Sequence, residues 1–139
     1  MNDPSLAARW RSWAPQLLST LRIIAAFLFT QYGTAKLLAF PGAVMPGGGT
    51  ASLTSLAGIA GLLEMVGGAL LLIGLFTRPV AFILSGEMAV AYWMSHAPRG
   101  FSPILNGGDA AILYCFIFLY FAFAGGGAWS LDRVIWRKD

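Results

Sequence analysis

The sequence predicts an all-α integral membrane protein, a four-helix bundle with both termini in the cytoplasm. Three observations carry that prediction. Hydrophobic residues make up 58% of the 139 and charged residues 11%, against about 25% charged in an ordinary soluble domain, and the mean hydropathy is +0.71. Four apolar stretches each approach the roughly 20 residues that a helix needs to cross a bilayer. Basic residues gather at the ends of those stretches, where they orient a membrane protein.

The elements follow in order along the chain. Residues 1–16, with Arg9 and Arg11 between Trp10 and Trp13, read as a short cytoplasmic segment lying at the membrane surface. Two arginines before an apolar run resemble the start of a signal peptide, but the run continues past any cleavage point, so a retained first helix over 17–40 is expected. The stretch FPGAVMPGGGTAS at 40–52 ends it, because its prolines and glycines cannot continue a helix. A second helix over 54–76 and a third over 79–97 flank the tight turn Thr77-Arg78-Pro79. The connection APRGFSPILNGGD at 97–109 places Asn106 or Asp109 to cap the fourth helix, 109–124. GGGAWSLD at 125–132 closes that helix, with Trp129 and Trp136 suited to an interfacial belt, and 133–139 is a basic cytoplasmic tail.

Counting Lys and Arg sets the orientation. With both termini inside, Arg9, Arg11, Arg22, Arg78, Arg133, Arg137 and Lys138 lie on the cytoplasmic face, and Lys36 and Arg99 lie outside. The long connections at 41–53 and 97–108 are then external. The net charge of +3 belongs to span ends, so nucleic acid is not an expected partner.

Several chemistries are excluded. One cysteine, Cys115, makes no intrachain disulfide, CxxC pair or Cys-based metal site. One histidine, His96, cannot supply bis-His haem ligation within a monomer. No Gly-x-Gly-x-x-Gly turn or ligand cluster is present, so no metal and no covalently bound cofactor is expected.

What remains is buried charge. A carboxylate at bilayer depth costs about 2.5–3.5 kcal/mol on insertion scales, and it persists where it is paired, protonated or faces a polar cavity. Glu64 lies ~15 Å below the outer start of the second helix and Glu87 ~12 Å above the inner start of the third, so both fall near the middle of a ~30 Å core. Glu64 shares a helical stripe with Ala57, Gly61, Gly67 and Gly68, small residues that let another helix approach closely. Its carboxylate either bonds across that interface or binds a proton or ligand.

Tyr32 and Lys36 share a face of the first helix. Lys36 either reaches outer water or pairs with Glu64 or Asp109, while Arg22 reaches cytoplasmic water. His96 and Glu87 are nine residues apart and fall on opposite faces of a regular helix, so they do not form one acid–base pair. His96 reads as an interfacial hydrogen-bonding residue or, alternatively, as a ligand or proton acceptor. The aromatic run YCFIFLYFAF at 114–123 serves packing and lipid contact, or lines a flat apolar ligand such as a quinone. Together these residues suggest a polar funnel opening outward, with Glu64, Glu87 and Asp109 handling protons and Tyr32, Lys36, His96 and Asn106 binding the ligand.

The ordered pieces QYGTAKL at 31–37, LLEMVGGALLLIGLFTRPVA at 62–81, EMAVAYW at 87–93, SPILNGGDAAILYCF at 102–116 and GGGAWSLD at 125–132 resemble the DoxX family of small four-helix bacterial membrane proteins. The resemblance covers about residues 20–132. It implies a multi-pass protein of the bacterial plasma membrane, placed beside quinone-linked sulfur or thiol redox chemistry. Asp109 stands where Glu is also common in that family.

The expected function is therefore a membrane component of a quinone-linked redox (sulfur/thiol or oxidative-stress) system, with quinone as the candidate non-covalent cofactor. Lacking a redox group of its own, it passes electrons with a partner subunit or directly between bound substrates. A proton-coupled small-solute transporter is the first alternative, supported by midplane carboxylates and the glycine-rich second helix; four helices are few for alternating access, so that reading calls for a homodimer. A non-catalytic assembly or stress protein is the second.

Overall fold

The computed structural model describes residues 4–137, so the extreme ends of the 1–16 and 133–139 segments, including Lys138, lie outside the described residues. Those residues form helices and connections without a strand: α1 (Pro4–Leu38), α2 (Leu56–Ile73), α3 (Thr77–Ala91), α4 (Pro103–Asn106), α5 (Asp109–Ala124) and α6 (Leu131–Trp136). A π-helical turn, Tyr92–His96, and a 3₁₀ turn, Ala97–Arg99, extend α3. Two helices, Pro4–Leu38 and Leu56–Ile73, are long and apolar enough to cross a membrane.

The first helix differs from expectation. The N-terminal segment is continuous with the first span rather than a separate surface piece. Only Pro15 interrupts its backbone bonding, and a proline removes a single donor, so 35 residues run unbroken, roughly 52 Å at 1.5 Å per residue. Residues 4–15 are exposed, and the buried face begins at Ser19 and continues through Arg22, Ala26, Phe29 and Gly33. That alternating spacing of three and four residues is one helical stripe.

Helix α2 buries a stripe of its own, Gly58, Gly61, Glu64, Gly67, Gly68 and Leu71. Ser55 caps its start by accepting from Gly58 N at 3.0 Å, and Gly74, at φ 71°, ends it in the left-handed conformation that costs glycine nothing. The two stripes meet. A Cβ on Gly33 would stand 2.6 Å from the Gly61 carbonyl, and one on Gly68 would stand 3.1 Å from the Cα of Thr30. Small residues therefore set the α1–α2 separation, as they do wherever helices pack without a hydrophobic drive between them.

Helix α3 packs on α5, with the Ser85 hydroxyl donating to the Cys115 carbonyl at 2.7 Å. Phe29, Leu71, Leu84, Phe118 and Phe121 fill the centre. The outward faces are apolar instead, and Ile24, Phe27, Leu62, Val66, Phe82, Ile83, Phe116 and Phe123 are all exposed. Soluble monomers rarely show so much contiguous apolar surface.

Arg22 corrects a second expectation. It does not reach water but is fully buried, donating from Nε to the Gly126 carbonyl at 2.8 Å, from Nη1 to the carbonyls of Leu71 and Leu72, and from Nη2 to Trp129 O at 2.6 Å. Its planar fork satisfies the last carbonyls of α2 and the 126–129 segment together, an arrangement suited to guanidinium. Asp132 completes this end by accepting from Phe76 N at 2.7 Å and Thr77 N at 2.8 Å. Residues read from sequence as a basic tail thus begin inside α6, which is tied to the α2–α3 turn.

Candidate functional site

The site is assembled where α1 and α2 touch most closely. Because Gly33 and Gly61 bring the backbones together one turn away, the Lys36 stem lies over Gly61 and its ammonium reaches Glu64. Lys36 Nζ donates to Oε1 at 2.7 Å and to Oε2 at 2.8 Å. The Glu64 side chain is 4% exposed and that of Lys36 24%, so the pair is buried from the carboxylate side and partly open from the ammonium side.

Glu87 comes to the same place from α3. Both of its carboxyl oxygens are buried and lack a hydrogen-bond partner within the described residues, and the group sits within electrostatic range of both Glu64 and Lys36. Lys36 gives both of its contacts to Glu64 and none to Glu87, whose buried oxygens stand without a hydrogen-bond partner among the described residues.

The other expected residues fall into two separate groups. Asn106 is buried and internally committed: its Oδ1 accepts from Gly108 N at 2.8 Å, and its Nδ2 donates to the Gly100 carbonyl at 2.9 Å and to Tyr92 Oη at 3.4 Å. It folds the loop before α5, whose capping residue is Gly108. His96 Nδ1 lies 3.2 Å from the Asn106 carbonyl and its ring stacks on Tyr92. The π turn that carries His96 changes its angular relation to Glu87 from that of a regular helix, and such turns recur at functional positions. Asp109 is exposed at the first position of α5 and does not pair with Lys36.

Tyr32 stands one turn from Lys36 and packs edge-on against Tyr114 at 6.0 Å between centroids. Tyr114 in turn meets Phe29 at 5.1 Å. The aromatic run at 114–123 divides by helical phase: Phe118 and Phe121 enter the core, while Phe116, Tyr120 and Phe123 face outward. Tyr32 and Tyr114 wall a cavity of about 500 Å³ with Leu28, Gln31, Ala35 and the 41–44 loop. A second cavity, about 880 Å³, opens beside Thr77, Arg78 and Asp132. Neither wall includes Glu64, Glu87 or Asp109; Glu64 lies between α1 and α2, and Asp109 stands apart from it at the exposed start of α5. Tyr114 and the cavity beside Arg78 were missed from sequence, and their nearest signals were the aromatic run and the Thr-Arg-Pro turn.

Among the described residues no group of three or more His, Cys, Asp or Glu side chains is placed to hold a metal. Cys115 is a free thiol packed against the Ser85 hydroxyl.

Residues 17–97, which contain Lys36, Glu64 and Glu87, match the DoxX family. An uncharacterised protein of Haemophilus influenzae strain Rd is 48% identical over 129 residues, covering 91% of this chain and 96% of that relative. No solved structure matches the chain. With more than half of its length inside the family match, and with two helices apolar enough to cross a membrane, the chain belongs to the membrane-associated DoxX family.

Proposed function

We propose that this protein is a four-helix, multi-pass component of a quinone-linked redox system in the bacterial inner membrane, both termini cytoplasmic, in which Lys36, Glu64 and Glu87 handle protons for a bound quinone. The observation that carries this reading is Glu87, an acid buried beside a bidentate Lys36–Glu64 pair with no hydrogen bond of its own. Reducing a quinone consumes two electrons and two protons, so a quinone site within an apolar span needs a buried proton donor. The quinone ring would lie in the 500 Å³ cavity against the wall that Tyr32 and Tyr114 form together, Tyr32 being one helical turn from Lys36. Electrons come from a small thiol: two thiols and one quinone give one disulfide and one quinol. The lipid bilayer is the constant partner, and a redox partner subunit is an alternative electron source.

A specific observation favours a second reading, proton-coupled solute transport. Glu64 and Glu87 carry buried carboxyl oxygens on two neighbouring helices, Glu64 bonded to Lys36, as the proton sites of a coupled transporter would be. Organic extraction of the purified protein separates the two. Near-stoichiometric isoprenoid quinone supports the redox reading; its absence, together with solute-dependent proton uptake in liposomes, supports transport.

A further inference from the structure

The 880 Å³ cavity lies at the end of the protein where the α2–α3 turn meets residues 125–136. Leu18 in its wall is 14 residues from Tyr32, ~21 Å along α1, so this cavity is distinct from the one beside Tyr114. Its volume is that of a small-molecule site, for which about 300–1,000 Å³ is usual.

The wall has two kinds of chemistry. Leu18 of α1, Pro79 of α3 and Tyr120 of α5 give it an apolar side, and Arg78 and Arg133 give it a cationic one. Asp132 is the acid in the wall, but both of its oxygens accept from the backbone of Phe76 and Thr77. Arg78 is anchored by Nη1 to the carbonyls of Ala122 and Phe123, which fixes its guanidinium at the end of α5. Gly125, at φ +83°, lets the backbone pass beside that guanidinium; a Cβ there would come within 3.4 Å of Nη2. Arg22, buried among Leu71, Leu72, Gly126 and Trp129, holds the same end rigid. The site is thus preformed by bonds that no ligand has to make.

We propose that this cavity binds an anionic lipid, its phosphate head held by Arg78 and Arg133 and its acyl chain lying along Leu18, Pro79 and Tyr120. Guanidinium matches phosphate oxygens in charge and geometry, and basic pockets between spans at a membrane surface recruit anionic head groups. A free phosphate shares the head's chemistry but leaves the apolar half of the wall unused. The proposal rests on the membrane reading above.

The test uses the full chain in nanodiscs of phosphatidylcholine containing increasing phosphatidylglycerol, with retained lipid counted by native mass spectrometry. Wild type should retain phosphatidylglycerol over phosphatidylcholine, and Arg133→Gln should lower that retention about tenfold, the loss of one charge-assisted contact. Arg78→Gln should do the same, but because Arg78 also binds the end of α5, Arg133→Gln is the deciding variant. Equal retention of both lipids, or unchanged retention in Arg133→Gln, overturns the proposal. Equal binding of inorganic phosphate by the detergent-solubilised protein overturns the lipid assignment in favour of the free anion. Insertion is read separately by flotation: failure to insert defeats the membrane reading, whereas an inserted chain that does not discriminate lipids defeats only this one.

Discussion

Lys36 and Glu64 meet across α1 and α2 with Nζ at 2.7 and 2.8 Å from the two carboxylate oxygens, and the pair depends on the glycines beside it. Gly33 and Gly61 bring the helices close enough for the ammonium to bridge both oxygens, while Glu64 is 4% exposed. Removing the cation leaves a buried carboxylate uncompensated.

Lys36→Met should therefore cost about 3 kcal/mol, the low end of the range for breaking a buried pair, since the ammonium side retains some exposure. Thermal unfolding in detergent measures it. Adding Glu64→Gln should recover part of the loss, because contacting charges are coupled. Asp109→Asn should add independently, and recovery with Asp109 instead of Glu64 would show that the ion pair is assigned to the wrong acid.

Gly33→Ala should destabilise by about 1–3 kcal/mol, the usual cost of overpacking a close interface. Gly86→Ala is the control, because nothing lies within 4 Å of a Cβ there and alanine is favoured over glycine inside a helix by roughly 1 kcal/mol. Comparable losses at both positions would mean that α1 and α2 are not in close contact at Gly33.

Arg22→Lys should destabilise by at least about 3 kcal/mol. Lysine lacks the fork that reaches carbonyls in two segments at once, and each charge-assisted bond contributes about 1.5–3 kcal/mol. Asp132→Ala, which uncaps the start of α3, should cost about 1–2 kcal/mol. Denaturant unfolding would show whether the order is reversed, which would place the weight of this end on α6 rather than on Arg22.

How much of this was legible beforehand depended on how far apart in sequence the partners lie. The stripe joining Glu64 to Gly61, Gly67 and Gly68 follows from helical phase within one element, so the sequence points to a close interface there. Which acid meets Lys36 depends on how α1 is staggered against α2, and phase alone leaves Glu64 and Asp109 both open. Arg22 was misread because a cation near the end of a span ordinarily finds water; its acceptors at 71–72 and 126–129 become neighbours only after the chain has folded back. The π turn at 92–96 and the internal bonding of Asn106 likewise depend on tertiary contacts, and neither leaves a mark in residue spacing.

The orientation is testable by labelling. In a Cys115→Ser background, single cysteines at Gly42 and Phe101, both exposed, should react with an impermeant thiol reagent from outside intact cells. A cysteine at half-exposed Phe76 should react only after permeabilisation. The reverse pattern would invert the topology.

Whether Glu87 donates protons to a quinone is measured by dithiol-dependent quinone reduction by the protein in liposomes, compared between wild type and Glu87→Gln at matched quinone binding. Loss of a positioned proton donor typically removes a factor of about 10²–10⁴ in rate. Turnover in Glu87→Gln should fall at least about 100-fold, with quinone binding preserved because Tyr32 and Tyr114 are untouched. Equal turnover in the two proteins, or a wild-type rate no faster than protein-free liposomes, would contradict it.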